Sequence, residues 1–430
     1  MTRTGLRLAA LALAAVAAIL AWVLGALFTH RLSVLALIAL AAFVATGHGL
    51  LRFAANLRTD ARSRQRNTVH FAWLAAGAAV YMSIAHFAVG RAPRRTIEPV
   101  SQQGADSWTL DDGTRIAFVH TPARVERRGP PIVMLHGGPG VPELPPILET
   151  GVRPLDFAAD SGFDVYYYDQ RGAGLSDRLD LRSAIPYSVA MHVADLEQIR
   201  RRIGADSVIL AGHGWGATLA INYMLQYPAR VARVVLLSPA PLWYAGYPDF
   251  VDPSARAKIT DVDASALALL ERPPLRLLVG RLTATTSTRA AHTLVTDWEA
   301  DQWWTEATGR ALRLGQPRVT CRSDPTWGLP PLTGLGFFAY SYTVASALDL
   351  PDPRTALASI TTAVLVVRGL CDYTIGHVAQ DYLDALPGAV YVAIPGAGYL
   401  IWTEQAPLLE RIASDFLLGR AVPLAFYKPR

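Results

Sequence analysis

The chain has 430 residues, enough for one large domain plus further segments, and its 51% of hydrophobic residues exceeds the roughly 45–50% of ordinary soluble proteins. Its formal net charge of +5 is unevenly spread: residues 1–95 hold eleven arginines and one acid, Asp60, for +10, which leaves −5 on the remainder. A mildly acidic main domain lacks the basic face that nucleic-acid binding requires, so no nucleic-acid partner is expected.

Three apolar stretches come first. Leu6 to Thr29 contains one charged residue, Arg7, while Leu32 to Leu51 and Val69 to Gly90 contain none, and each matches the ~20 residues that cross a bilayer. Three transmembrane helices are therefore expected within residues 1–95. A cleaved signal peptide would account for the first stretch only, and that stretch is longer than a signal sequence's 7–15 apolar residues. Arg3, Arg7, Arg52, Arg58, Arg62, Arg64 and Arg66 fall on one side of a three-span topology, against Arg31, Arg91, Arg94 and Arg95 on the other. Arginine excess marks the cytoplasmic side. The expectation is an integral protein of the cytoplasmic membrane with its large domain outside the cytoplasm.

After a short linker at Arg91 to Pro99, Ser107–Leu110, the turn Asp111-Asp112-Gly113 and Arg115–Val119 read as an antiparallel hairpin. Short runs rich in β-branched and aromatic residues then recur at Ile132–Leu135, Val165–Tyr168, Val208–Leu210, Val234–Leu237, Val364–Val367 and Val390–Ile394. Helical patterns such as Val189–Ile203 and Ala217–Tyr227 separate several of them. Such alternation implies an α/β fold with a parallel sheet covered on both faces, and a ligand site at the carboxyl ends of its strands. From about Pro241 to Asp349 the alternation stops. This stretch contains Trp298, Trp303 and Trp304 and shows helical periodicity near residues 286–312 and 336–348, so it reads as a lid. The expected organisation is an anchor at 1–95, a core at 100–240 and 350–430, and a lid at 241–349. The two cysteines, Cys321 and Cys371, either form a disulfide, which an extracytoplasmic location permits, or remain buried thiols.

Four motifs bear on chemistry. His136-Gly137-Gly138-Pro139-Gly140 closes one strand, and Asp169-Gln170-Arg171-Gly172-Ala173-Gly174-Leu175-Ser176 closes the next. Gly212-His213-Gly214-Trp215-Gly216 stands between the apolar run Ser207–Ala211 and the helical stretch Ala217–Tyr223. That is the strand, turn and helix of a nucleophile elbow, G-x-S-x-G, with glycine at the serine position. Arg368-Gly369-Leu370-Cys371-Asp372 ends a later strand. In this order and spacing, the four resemble the proline iminopeptidase-like (prolyl aminopeptidase) branch of the α/β-hydrolase superfamily over roughly residues 105–418.

The resemblance implies an α/β-hydrolase fold with a helical lid insertion and a triad in chain order Ser, Asp, His. It places the nucleophile at Gly214, the acid at Asp372 and the histidine in the loop Pro395-Gly396-Ala397-Gly398-Tyr399, where the residue is Tyr399. The last of the ten histidines is His377, so no histidine follows in that loop. Ser and His are thus absent independently of each other. His213 precedes the vacant position, where backbone and packing support is the favoured role. His377 could approach Asp372 from its own loop but would still lack a nucleophile. A phenol of pKa ~10 is a poor general base near neutrality but a workable hydrogen-bond donor, and a hydrogen bond from Tyr399 to Asp372 is expected.

By the same resemblance, the His136-Gly137-Gly138 loop lines the pocket, and the Gly138 and Trp215 N–H groups converge on an oxyanion without needing side chains. Trp298 and Glu299 resemble the Trp-Glu of the family's cap, where a carboxylate receives the substrate's amino terminus. A solvated helical face explains that pair equally well. Loss of a whole triad leaves only ~10³–10⁴-fold acceleration over water. The expected function is therefore a membrane-anchored protein whose lidded pocket binds a small apolar molecule or isomerises, cyclises or eliminates from it. The alternative is a working aminopeptidase or esterase with a non-standard catalytic set. No cofactor or metal is implied; the expected partners are the membrane and a small-molecule or peptide-like ligand.

Overall fold

In the computed structural model of the chain, the described residues are 3–56, 72, 75–79, 82, 104–180, 187–247, 273–314, 320–321, 333–374 and 376–422. The helices are α1 (Arg3–Gly25), α2 (Leu32–Asn56), α3 (Leu144–Thr150), α4 (Phe157–Asp160), α5 (Val189–Ile203), α6 (Trp215–Gln226), α7 (Leu275–Ala284), α8 (Thr288–Leu294), α9 (Asp297–Leu314), α10 (Phe337–Leu348), α11 (Arg354–Leu357), α12 (His377–Ala385), α13 (Ile401–Glu404) and α14 (Ala406–Leu417). The strands are β1 (Asp106–Thr109), β2 (Arg115–Thr121), β3 (Ile132–Leu135), β4 (Val165–Tyr168), β5 (Val208–His213), β6 (Val231–Leu237), β7 (Ala363–Gly369) and β8 (Ala389–Ile394). The chain divides into two compact units. One comprises Met1–Thr96, Asp180–Ile185 and Pro273–Glu299, the other Ile97–Leu179, Pro186–Arg272 and Ala300–Arg430.

In the first unit, α1 and α2 form a helical hairpin. Ala10, Ala14 and Ala18 recur every four residues along α1 and are buried, as are Leu35, Ala39 and Phe43 of α2. Small residues at that spacing let two apolar helices approach closely where no water drives them together. Segments Leu8–Gly25 and Leu32–Phe53 have mean hydropathies of 2.5 and 2.2 with 28% of each buried, so both helices are long and apolar enough to cross a membrane, and most of their surface is unburied. The third expected span, Val69–Gly90, falls mostly outside the described residues, which include one helical stretch at 75–79.

The second unit is built on an eight-stranded sheet in the order β1-β2-β4-β3-β5-β6-β7-β8. The hairpin β1-β2 adds antiparallel to β4, and every other neighbouring pair is parallel. Successive strand residues point to opposite faces. Val133 and Leu135 accordingly join the cluster under α5, α6 and α12, while Ile132 and Met134 join the one under α3, α4 and α14. Each fully buried Val, Leu or Ile contributes about 1.5–3 kcal/mol. Local signals set the helix ends: Ser188 Oγ accepts from the Met191 N–H to open α5, and Gly204, at φ 76°, closes it. In α14, Leu409, Ile412, Ala413 and Phe416 form the i, i+3, i+4, i+7 stripe that docks on the sheet.

A buried ion pair ties the hairpin to the core. The Arg171 guanidinium donates to both Asp195 carboxylate oxygens at 2.8 and 2.7 Å, and to Asp112 and Thr114 at 2.6 Å each. Arg171 and Asp195 are almost fully buried, whereas Asp112 is half exposed. Asp195→Ala would strand a buried charge and is expected to cost about 3–5 kcal/mol, while Asp112→Ala should cost about 1 kcal/mol or less. Denaturant unfolding measures both, and equal losses would contradict this assignment.

Candidate functional site

Five loops meet at the carboxyl ends of the parallel strands. They follow β3 (His136–Gly140), β4 (Asp169–Ser176), β5 (the Gly214 turn), β7 (Leu370–Thr374) and β8 (Pro395–Leu400). This edge is where a parallel sheet presents its ligand groups, because strand carbonyl ends and helix N-termini converge there.

The β5–α6 turn has the strained backbone of a nucleophile elbow, with Gly214 at φ 51° and ψ −117°. Its flanking glycines are forced by close approach. A Cβ on Gly216 would lie 1.9 Å from the Leu135 carbonyl oxygen, and one on Gly212 would lie 2.5 Å from that of Gly216. Gly214 differs from both, since what a Cβ there would meet is a side chain: the Tyr399 hydroxyl, at 2.0 Å. That hydroxyl also lies 3.6 Å from the Cβ position of Gly137, so it sits between the elbow and the His136–Gly140 loop.

Tyr399 belongs to an aromatic cluster. Its ring lies 4.3 Å from that of His213 and 4.9 Å from that of Tyr373. Burial, reinforced by Tyr373 and Asp372, raises the Tyr399 pKa well above that of a free phenol. The group stays protonated and can donate, but it cannot serve as a general base near neutrality. Tyr244 acts electrostatically on Tyr399, and Tyr340 on Tyr244 and Tyr373.

Asp372 is buried. Its Oδ1 accepts from the Thr374 N–H at 2.9 Å and the Thr374 hydroxyl at 3.1 Å, while Oδ2 has no well-formed hydrogen bond. Burial raises its pKa, opposed by Arg368, Thr374 and Ser238. The expected bond from Tyr399 to Asp372 is not formed. Thr374 reaches Asp372 instead, from only two residues away. His377 opens α12 in an exposed position. His213 is buried between Tyr399 and Trp402, 3.3 Å from the Tyr399 carbonyl, and burial lowers its pKa to about 3.

One glutamine joins the His136–Gly140 loop to the elbow. The Gln170 N–H donates to His136 Nε2 at 2.8 Å, its side-chain amide donates to the His136 carbonyl at 3.1 Å, and its Oε1 accepts from the Trp215 indole at 3.0 Å. His136 Nδ1 then donates to the Gly137 carbonyl at 2.8 Å, which fixes its tautomer, and burial lowers its pKa to about 4. Gln170 and Tyr373 are among the site residues that sequence reasoning missed. Gln170 stood inside a motif read only as a strand end, and Tyr373 directly follows Asp372.

The insertion between β6 and β7 contributes to both units. In the second unit Asp301 pairs with Arg178 at 3.2 Å and accepts from the Phe337 N–H at 2.8 Å. The Gly336 N–H donates to the Gly140 carbonyl at 2.8 Å, and the Gly174 N–H donates to that of Gly334 at 2.7 Å. Residues 334–336 therefore rest on two of the site loops. Cys321 and Cys371 are joined by a disulfide, and Glu404 accepts from the N–H groups of Cys321 and Gly398 at 2.8 and 2.7 Å. In the first unit, Glu299 is ion-paired with Arg276 at 3.0 Å, and His292 Nε2 lies 3.2 Å from an Asp297 carboxylate oxygen. Trp298, between them, is half-buried. Among the described residues, no cluster of His, Cys, Asp or Glu has the arrangement of a metal site.

Residues 130–320 match a family described as alpha/beta hydrolase fold. The chain is similar to the proline iminopeptidase of Lactobacillus delbrueckii subsp. lactis, at 25% identity over 296 residues, 67% of this chain and 90% of that protein. With the proline iminopeptidase of Heyndrickxia coagulans it shares 39% identity over 118 residues, 27% of this chain and 38% of the relative. Among solved structures, the proline iminopeptidase of Mycobacterium smegmatis aligns with 73% of this chain and 98% of its own length, at 17% identity and a TM-score of 0.45.

The buried histidines set a pH dependence. His136 and His213 have folded pKa values of about 4 and 3, below the ~6.5 of an unfolded histidine. Between these values the unfolded chain binds more protons, so their contribution is complete above pH ~6.5 and is lost as pH falls toward the folded values. His213→Gln is expected to flatten the fall of the unfolding midpoint across that window. An unchanged slope would remove His213 from this account.

Proposed function

We propose that this α/β-hydrolase-fold protein uses its strand-end pocket to bind a small, mainly apolar molecule, or to convert it without hydrolysis, while its N-terminal helices anchor it in a membrane. The observation that carries this reading is the Tyr399 hydroxyl at 2.0 Å from the Cβ position of Gly214. A serine side chain at the elbow needs that space. Replacement of histidine by the longer tyrosine and of serine by glycine is one complementary packing change, in which the phenol fills the volume a nucleophile would occupy.

The groups left in the pocket suit a ligand oxygen. The N–H groups of Gly138 and Trp215 supply oxyanion-type donors that need no side chain, and the protonated Tyr399 supplies a further donor or a weak acid. Proton transfer from Tyr399, with Asp372 and Tyr373 beside it, would assist an isomerisation, cyclisation or elimination. The aromatic wall of Tyr244, Tyr340, Tyr373 and Tyr399 favours an apolar body. The arginine distribution supports a main domain outside the cytoplasmic membrane.

Similarity to proline iminopeptidases over most of their length favours the rival reading, an active aminopeptidase. Incubation of the purified full chain with aminoacyl-naphthylamides, nitrophenyl esters and a fluorophosphonate separates the two. The expected result is turnover at background and no stoichiometric label; stoichiometric labelling would sink the non-hydrolytic reading. Gly214→Ser alone should overpack the site, cost about 1–3 kcal/mol and remain unlabelled. Combined with Tyr399→His it should recover stability and accept the probe. Labelling of the single variant would show that a base already stands beside residue 214.

A further inference from the structure

We propose that α7, in the insertion between β6 and β7, is a membrane-surface helix whose Leu275, Leu278 and Leu282 enter the acyl-chain region of the bilayer beside α1. These leucines lie at i, i+3 and i+7 on one face and are 50%, 42% and 39% exposed. The other face is committed to protein. Leu277, Gly280 and Thr283 are buried there, and Gly280 approaches Val295 so closely that a Cβ would lie 2.6 Å from its Cγ2. An exposed leucine stripe on a short helix with a fully occupied opposite face needs an apolar partner.

Two hydrogen bonds within the same unit identify that partner as lipid. The Trp22 indole donates to Thr283 Oγ1 at 2.9 Å, and the Thr286 hydroxyl donates to the Val23 carbonyl at 2.7 Å. Both fix the end of α7 to the last turn of the apolar segment Leu8–Gly25. Tryptophan at the end of an apolar span marks the level of the headgroups. The α7 stripe therefore continues the exposed apolar surface that Leu20, Leu24, Leu27 and Phe28 present around the same end of α1. Polar groups of α7 are placed accordingly. Arg276 turns to Glu299, and Arg281, exposed at the edge of the stripe, has the length to reach headgroups while its stem lies along apolar surface. The inference concerns the first unit alone and holds whether or not the pocket hydrolyses anything.

The test places a single fluorophore on the full chain through Leu278→Cys or Leu282→Cys, with Leu20→Cys as the lipid control and Glu410→Cys as the water control. The two native cysteines are joined and do not compete for label. After reconstitution into phosphatidylcholine vesicles, brominated acyl chains should quench labels at 278 and 282 severalfold more than at 410, approaching the quenching at 20. Quenching at 278 and 282 no greater than at 410 would overturn the proposal. So would thiol cross-linking of 278 between two copies without lipid quenching, which would assign the stripe to a second chain.

Discussion

The helix after β5 can begin where it does only because Gly216 has no side chain: a Cβ there would stand 1.9 Å from the carbonyl of Leu135 in β3. This contact draws the α6 N-terminus onto the neighbouring strand and forces the turn at Gly214 into its strained conformation. It also brings the Gly137–Gly138 loop alongside the turn. The Gln170 bridge between His136 and Trp215 holds the two together. The loops that would host chemistry are thus fixed by backbone approach and buried hydrogen bonds, and neither depends on the residue at 214.

Desolvation governs the charges of this site. It lowers the pKa of His136 and His213 and raises those of Tyr373, Tyr399 and Asp372, so every shift favours the neutral form. A triad works the other way, because it must stabilise an imidazolium beside a carboxylate. Here the buried groups are held neutral, and the Tyr399 hydroxyl reaches the Cβ position of Gly214 at the elbow.

The insertion between β6 and β7 divides between the two units. Its 334–336 segment is hydrogen-bonded to the site loops, where satisfied backbone groups matter most. Its 275–284 helix is bonded to the end of an apolar span and turns leucines outward, as suits a lipid environment. Aromatic richness read from the sequence alone does not distinguish these two demands.

Much of the fold was legible in residue order. Short runs rich in β-branched and aromatic residues marked six of the strands, with β5 and β6 extending beyond their expected limits to His213 and back to Val231. The glycine motifs placed four of the five site loops, because glycine at such turns reports a backbone constraint that any alignment of the chain must satisfy. The glycine at 214, the tyrosine at 399 and the lack of any histidine after His377 were equally plain, being matters of residue order. Partner choice between side chains was not legible. Tyr399 was expected on Asp372, which accepts from Thr374 instead, and Glu299, read equally as a ligand's partner or as part of a solvated helical face, is paired with Arg276. Sequence determined the sheet, the elbow and what is absent from it, since these follow from local pattern. Only the tertiary structure decided that the Tyr399 hydroxyl occupies the space a side chain at residue 214 would need, because that depends on two loops 185 positions apart in the chain arriving within van der Waals contact.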